Sequence, residues 1–244
     1  MTPPHGPVLL ATDTLVQEDP YPDGTAPPIP RLPALGPPVG DEGAVSELAA
    51  MLVSAQSPVI VADRMARTPA GLAHLTELAE TLNAAVCDTA NRFNFPWRHP
   101  LNQTERQRAM IGEADLVLEL EPGDPFAVST LTGRDGRTHP LMQEGAKRVT
   151  ISSLDLFMKS NFQDMQRYPS DIDLAIAGDA EATLPSLIEA VRKALPASQR
   201  SKLADRGARA ISVPRSRPIR SRSSPSWARS GAPGQRCRPT LRRF

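Results

Sequence analysis

A doubly wound, mostly parallel α/β sheet is what this sequence predicts, on three observations. Short, continuously apolar runs such as Pro58-Val59-Ile60-Val61-Ala62 recur along the middle of the chain, the mark of strands buried on both faces. Between them lie segments with one apolar stripe at helical spacing, as in Leu72, Leu75, Leu78, Ala79 and Leu82. The two patterns alternate, which implies βαβ units with right-handed crossovers.

The elements follow in order. Pro7-Val8-Leu9-Leu10-Ala11 reads as a first strand within residues 1–16. Residues 17–43 form a linker, because eight of the nineteen residues from Pro20 to Pro38 are proline. Proline removes backbone donors and biases its predecessors toward extended conformations, so this stretch is an extended connector. The folded domain occupies residues 44–197. Val45, Leu48, Ala49 and Leu52 share a helix face, and Pro58–Ala62 is the strand that follows. Thr68 then Pro69 predicts a helix start, a capping side chain followed by proline at the first helical position. Ala84–Cys87 is the next strand, and Thr104 with Gln107 can form a capping box for a helix to Gly112. Leu116–Leu120, Arg148–Ile151 and Ile172–Ile176 are three more strands. A last helix carries Leu184, Leu187, Ile188, Val191 and Leu195 on one face; Pro185 fits if the helix proper begins near Thr183, and otherwise kinks its first turns. About 150 residues suffice for a five- or six-stranded, doubly wound, Rossmann-like sheet with a real core.

Residues 198–244 have almost no apolar periodicity toward their end and are expected to be a disordered basic tail. From Val213 onward there are nine arginines and no acidic residue, so the net charge of +1 conceals a body, Met1–Ser212, at −8. The 40% apolar and 23% charged fractions are those of a globular chain. With 4% aromatics, the core must be built from Leu, Val, Ile and Ala. Two cysteines, Cys87 and Cys237, exclude a disulfide scaffold and a Cys-based zinc site. There is no basic, apolar leader and no run near the ~18 apolar residues of a membrane span, so the cytoplasm is the default location.

The search for chemistry eliminates more than it finds. His5, His74, His99 and His139 are isolated, and no metal-ligand cluster or G-x-S-x-G elbow occurs. There is no Walker A loop and no G-x-G-x-x-G after a strand. The turn after Ile60-Val61 reads Ala62-Asp63-Arg64-Met65-Ala66-Arg67, without the glycine that lets a pyrophosphate approach the backbone. Two loops at strand carboxyl ends remain. Asn91–Leu101 holds Phe93, Phe95 and Trp97 and lies where ligands sit in such a sheet, the competing reading being that these rings pack the loop down or form an interface. Glu121-Pro122-Gly123-Asp124-Pro125-Phe126 is acidic and reads first as a Pro/Gly turn. Arg64, Asn91 and Arg92 are the candidate contacts for an anionic or adenine group.

In order and spacing, Ser57–Ala62, the helix through Leu78-Ala79-Glu80, Ala85-Val86, Phe95-Pro96…His99-Pro100-Leu101, Ala114–Leu118 and Ile172–Ala180 resemble the central domain of thiamine diphosphate (thiamine pyrophosphate)-dependent enzymes. These include acetolactate synthase, pyruvate oxidase and benzoylformate decarboxylase. His5–Leu10 looks like the last strand of the preceding pyrimidine-binding domain. The resemblance implies a homo-oligomeric, 2-keto acid-processing enzyme whose cofactor is an electron sink for carbanion chemistry. It also implies that the catalytic Glu and the Gly-Asp-Gly…Asn motif for Mg2+ and diphosphate belong to two other domains. Gly178-Asp179-Ala180 is not that motif, and no asparagine follows Asn161. Thiamine diphosphate and Mg2+ are therefore not expected to bind this chain alone. FAD or ADP is bound on the central domain in some members, but the glycine-poor turn at Asp63 speaks against it here. The Arg/Ser/Pro-rich end is what an out-of-frame reading of a GC-rich gene gives. The competing readings are a stand-alone nucleotide-binding or regulatory module, and an RNA-associated protein whose tail arginines neutralise phosphates. Membrane association is not expected, and nucleic acid is disfavoured by the lack of interleaved aromatics.

Overall fold

The computed structural model of the chain describes residues 9–18, 20, 28, 30, 31, 33, 36–89, 93–124, 128–133, 136–153, 172–196, 203 and 205–208. All of them belong to one compact unit, Met1–Val213. The first element is a short helix, α1 (Thr14–Glu18), which no signal in the sequence announced. Pro7 and Val8 of the expected first strand lie outside the described residues. Leu9–Ala11 are in no strand, and Leu9 and Leu10 are exposed. Among the described residues no strand pairs with them, and an apolar run without a partner has no ladder to join.

The described linker residues between 28 and 40 carry no regular structure, as the prolines dictate. The linker's end is nevertheless fixed. The Asp179 amide donates to the Pro38 carbonyl at 2.8 Å, and the Gly40 amide to Thr183 Oγ1 at 3.0 Å. Gly178 and Gly40 touch backbone to backbone; a Cβ on Gly178 would lie 2.7 Å from the Gly40 nitrogen.

Helix α2 (Glu42–Ser54) starts two residues before the expected domain boundary, because Asp41 caps it by accepting from the Ala44 amide. Then come β1 (Pro58–Ala62), α3 (Pro69–Leu82), β2 (Ala85–Asp88), a 3-10 turn (Thr104–Arg106), α4 (Gln107–Glu113) and β3 (Leu116–Leu120). Thr68 caps α3 as predicted, and Asn83, in the left-handed region at φ 47°, ends it. The predicted capping box at Thr104 does not form; its hydroxyl accepts from the Asp88 amide instead and ties the turn to the end of β2.

A small antiparallel hairpin of β4 (Thr130–Thr132) and β5 (Thr138–Pro140) was not anticipated. Strand β6 (Lys147–Ser152), β7 (Leu174–Ala177) and helix α5 (Ala180–Ala194) complete the domain. Helix α5 begins three residues earlier than expected, since Asp179 is its cap, and Pro185 falls inside it.

The main sheet has the order β2-β1-β3-β6-β7 with every pairing parallel. Right-handed crossovers in opposite directions put α3 and α4 on opposite faces. Helices α2 and α3 both pack on α5. β1, β2 and β3 are buried throughout, as near-continuous apolar runs in a two-sided sheet must be. Among the described residues, no helix is long and apolar enough to cross a membrane.

The body does not stop at residue 197. Leu203 and Arg206 are buried, and residues 205–208 are helical. The Arg206 guanidinium donates to the carbonyls of Leu52 (3.4 Å), Val53 (3.2 Å) and Ala55 at the end of α2, and of Leu82 (3.1 Å) at the end of α3. Helix C-termini present unpaired carbonyls and partial negative charge, which a guanidinium satisfies twice over. Within the segment expected to be disordered, Leu203 and residues 205–208 are thus tied to the body; residues 198–202, 204 and 209–244 lie outside the described residues.

Candidate functional site

In an open parallel sheet, ligands bind at the carboxyl ends of the strands where the strand order reverses direction. Counted on its own strands, this sheet runs 2-1-3-4-5, so the reversal falls between β1 and β3. The residues leaving those strands are Asp63-Arg64 and Glu121-Pro122-Gly123.

The two turns are stitched together. The Asp63 amide donates to the Leu120 carbonyl (3.1 Å), and the Arg64 amide to the Glu121 carbonyl (3.4 Å). The Gly123 amide donates to Asp63 Oδ2 at 2.8 Å. A Cβ on Gly123 would lie 3.1 Å from that oxygen and 3.4 Å from Arg64 Nη2, so glycine leaves the space they take. The acidic loop is therefore a Pro/Gly turn through Gly123; its Pro125 and Phe126 lie outside the described residues.

Glu121, at φ 49°, turns its buried carboxylate back toward β6 and α5. It accepts from the Ser153 amide (3.1 Å), the Ser152 and Ser153 hydroxyls, and the Ala180 amide (3.0 Å). Asn94, fully buried, is the hub on the other side. Its Oδ1 accepts from the Met65 and Ala66 amides, and its Nδ2 donates to the Asp63 carbonyl and to Asp88 Oδ1.

Helix α3, the first after β1, has its own anion. Glu181 reaches from α5 and accepts from the Arg67 amide (2.6 Å) and the Thr68 hydroxyl (2.5 Å). Asp179 caps α5 by accepting from the Ala182 amide and pairs with Arg67 Nη2 at 2.5 Å. Of the candidate contacts, Arg64 is exposed at this edge, with its guanidinium beside Gly123. Asn91 and Arg92 lie outside the described residues. Of the residues that carry the network, Glu121 was read only as part of a Pro/Gly turn and Asp179 only as part of Gly178-Asp179-Ala180, and Asn94 and Glu181 were given no site role from the sequence. The available signals were an Asp before a helical stripe and a Glu at the end of a strand, both common.

The aromatic loop divides. Phe95 is buried and meets the His99 ring edge-on with centroids 4.9 Å apart, while Phe93 and Trp97 are 63% and 54% exposed. His99 Nε2 lies 3.1 Å from Glu80 Oε1, a structural place. Burial pushes the Cys87 thiol up to about 12, against a lowering by Arg106, so no thiolate nucleophile is offered. Away from the edge, Glu119 on β3 is fully buried, and neither carboxylate oxygen has a hydrogen bond. By register it shares a sheet face with Arg148 and Thr150. Arg148 Nε stands 3.8 Å away. Burial raises the Glu119 carboxyl to about 8, opposed by Arg148 and assisted by Asp124.

Residues 45–187 match the family described as thiamine pyrophosphate enzyme, central domain. Among solved structures, the chain is similar to one described as a thiamin diphosphate-dependent enzyme from Mycobacterium smegmatis, at 18% identity and a TM-score of 0.49 over 68% of this chain. It is also similar to benzoylformate decarboxylase from Polynucleobacter necessarius, at 20% identity and a TM-score of 0.49 over 68% of this chain. The matches take in 31% and 30% of those chains, so this chain spans under a third of their length. No curated protein sequence matches it.

Proposed function

The chain belongs to the thiamine pyrophosphate enzyme central-domain family, and from that premise we propose that it serves as the scaffold domain of an enzyme acting on 2-keto acids, of the acetolactate synthase or decarboxylase kind, and does not catalyse alone. The observation that carries this reading is the family match over residues 45–187, with a sheet edge whose polar groups are committed to one another.

Bound thiamine diphosphate would supply the electron sink for a 2-keto acid carbanion. The described residues do not fit it. The carboxylate of Asp179, in Gly178-Asp179-Ala180, is spent on its helix cap and on Arg67. Among the described residues, no three His, Cys, Asp or Glu side chains converge on a place for a metal ion such as Mg2+. The domain's part is to hold geometry: its two-sided core sets the spacing of the loops at the carboxyl edge. The same reading assigns it subunit contacts in a homo-oligomer, for which Phe93 and Trp97 are available apolar surface, and a cytoplasmic location.

Titration calorimetry of the purified chain with thiamine diphosphate and Mg2+ tests the proposal. No binding tighter than roughly millimolar is expected, which is about −4 kcal/mol. A micromolar dissociation constant, or turnover of pyruvate or benzoylformate, overturns it.

A further inference from the structure

The N-terminus of the helix after the first strand is where this class of sheet receives a phosphate, because backbone N–H groups and the helix dipole converge there. In this chain the helix is α3, of 14 residues. Its N-terminus is already served by an anion that belongs to the protein. The Glu181 carboxylate accepts from the Arg67 amide at 2.6 Å and the Thr68 hydroxyl at 2.5 Å, and Arg67 Nε stands 3.9 Å from it. It lies so close to the first turn that a Cβ on Gly71 would be 2.6 Å from its carboxyl carbon. The Glu181 side chain is 13% exposed; its contact with the Arg67 amide is part-buried, and that with the Thr68 hydroxyl faces solvent.

We infer that Glu181 is a built-in substitute for a phosphate group, and that it closes the α3 site to pyrophosphate-bearing nucleotides such as FAD and ADP. The neighbouring donors agree. The Met65 and Ala66 amides are taken by Asn94, the Gly123 amide by Asp63, the Ala180 amide by Glu121 and the Gly71 amide by Thr68. A pyrophosphate entering at the α3 terminus meets the Glu181 carboxylate where it needs donors; the buried Asp63, Glu121 and Asp179 carboxylates already hold the neighbouring amides and Arg67, and Arg64 is exposed at this edge. Arg67, the nearest cation to the α3 terminus, is held by Asp179. The inference stands on these contacts and is independent of the scaffold role proposed above.

Removing the internal anion should restore the site it fills. The full chain and its Glu181→Ala variant are to be melted with inorganic phosphate, ADP or FAD, with sodium chloride matching ionic strength. The unaltered chain is expected to show no shift with any of the three. Glu181→Ala should melt lower, yet gain about 2–4 °C at roughly 50 mM phosphate, the shift that mass action gives a domain of this size when a weak site is several-fold saturated. Glu181→Ser, which also vacates the place, repeats the test if the alanine variant does not fold. A melting shift of the unaltered chain with ADP or FAD overturns the inference. So does a vacated variant that responds to phosphate no more than the parent.

Discussion

Glu119→Gln is the substitution whose effect should change most with pH. Glu119 sits on the central strand β3, fully buried, with both oxygens unbonded and Arg148 too far for a hydrogen bond. Its carboxyl, 4.5 when unfolded, is raised to about 8 in the folded chain by burial. Between those values the unfolded chain has released the proton and the folded chain still holds it. Stability therefore falls as pH rises, by about 1.4 kcal/mol per pH unit. Below 4.5 both states are protonated and nothing is lost; above about 8 both are ionised and the loss is complete. The whole span is on the order of 5 kcal/mol, a large part of the 5–15 kcal/mol typical of a domain. Glutamine has the same shape and does not titrate, so the variant should gain on the parent with that slope and level off above pH 8. Urea unfolding of both proteins at half-unit steps from pH 5 to 9 measures the difference and cancels every other titration they share. A difference that stays flat across that range would refute the claim that Glu119 is carried into the fold as the neutral acid.

Two further substitutions address the clasps at the ends of the domain. Arg206→Met should lower stability by about 2–4 kcal/mol, because it leaves carbonyls at the ends of α2 and α3 without their donor; an unchanged urea midpoint would show that the segment is not tied to the body. Gly178→Ala should cost about 1–3 kcal/mol, since the new methyl would sit 2.7 Å from the Gly40 amide nitrogen, which is backbone and can yield only by moving the linker end; a midpoint matching the parent would show that the Pro38–Gly40 contact is loose.

How far the sequence could be read depends on how local the determinant is. β1, β3 and α3 were legible because the signal lies within each element: continuous burial for the strands, and Thr68-Pro69 with a single stripe for the helix. The start of α5 was misplaced because an apolar stripe marks the buried face and not the first turn, which Asp179 sets through its cap. The β4–β5 hairpin was missed because strands of three residues are too short for a period to show. Arg206 was assigned to the tail on its composition. What holds it are carbonyls some 150 positions earlier, and backbone acceptors leave no mark in a sequence.

The carboxyl edge shows the same limit in a form that bears on function. The turn at Asp63 could be read as unsuited to pyrophosphate, since glycine was missing and side chains would crowd the approach. Crowding, however, is the smaller part of the reason. Asp63 spans the reversal between β1 and β3 to hold Gly123, and Glu181 takes the α3 terminus from the far end of the domain. A glycine at position 63 would therefore not make this edge a nucleotide site. It would remove one acceptor from Gly123 and leave the anion at α3 in place. The property that decides whether this edge takes a phosphate resides in Glu181, 118 positions downstream of Asp63 and on a helix chosen for its apolar face.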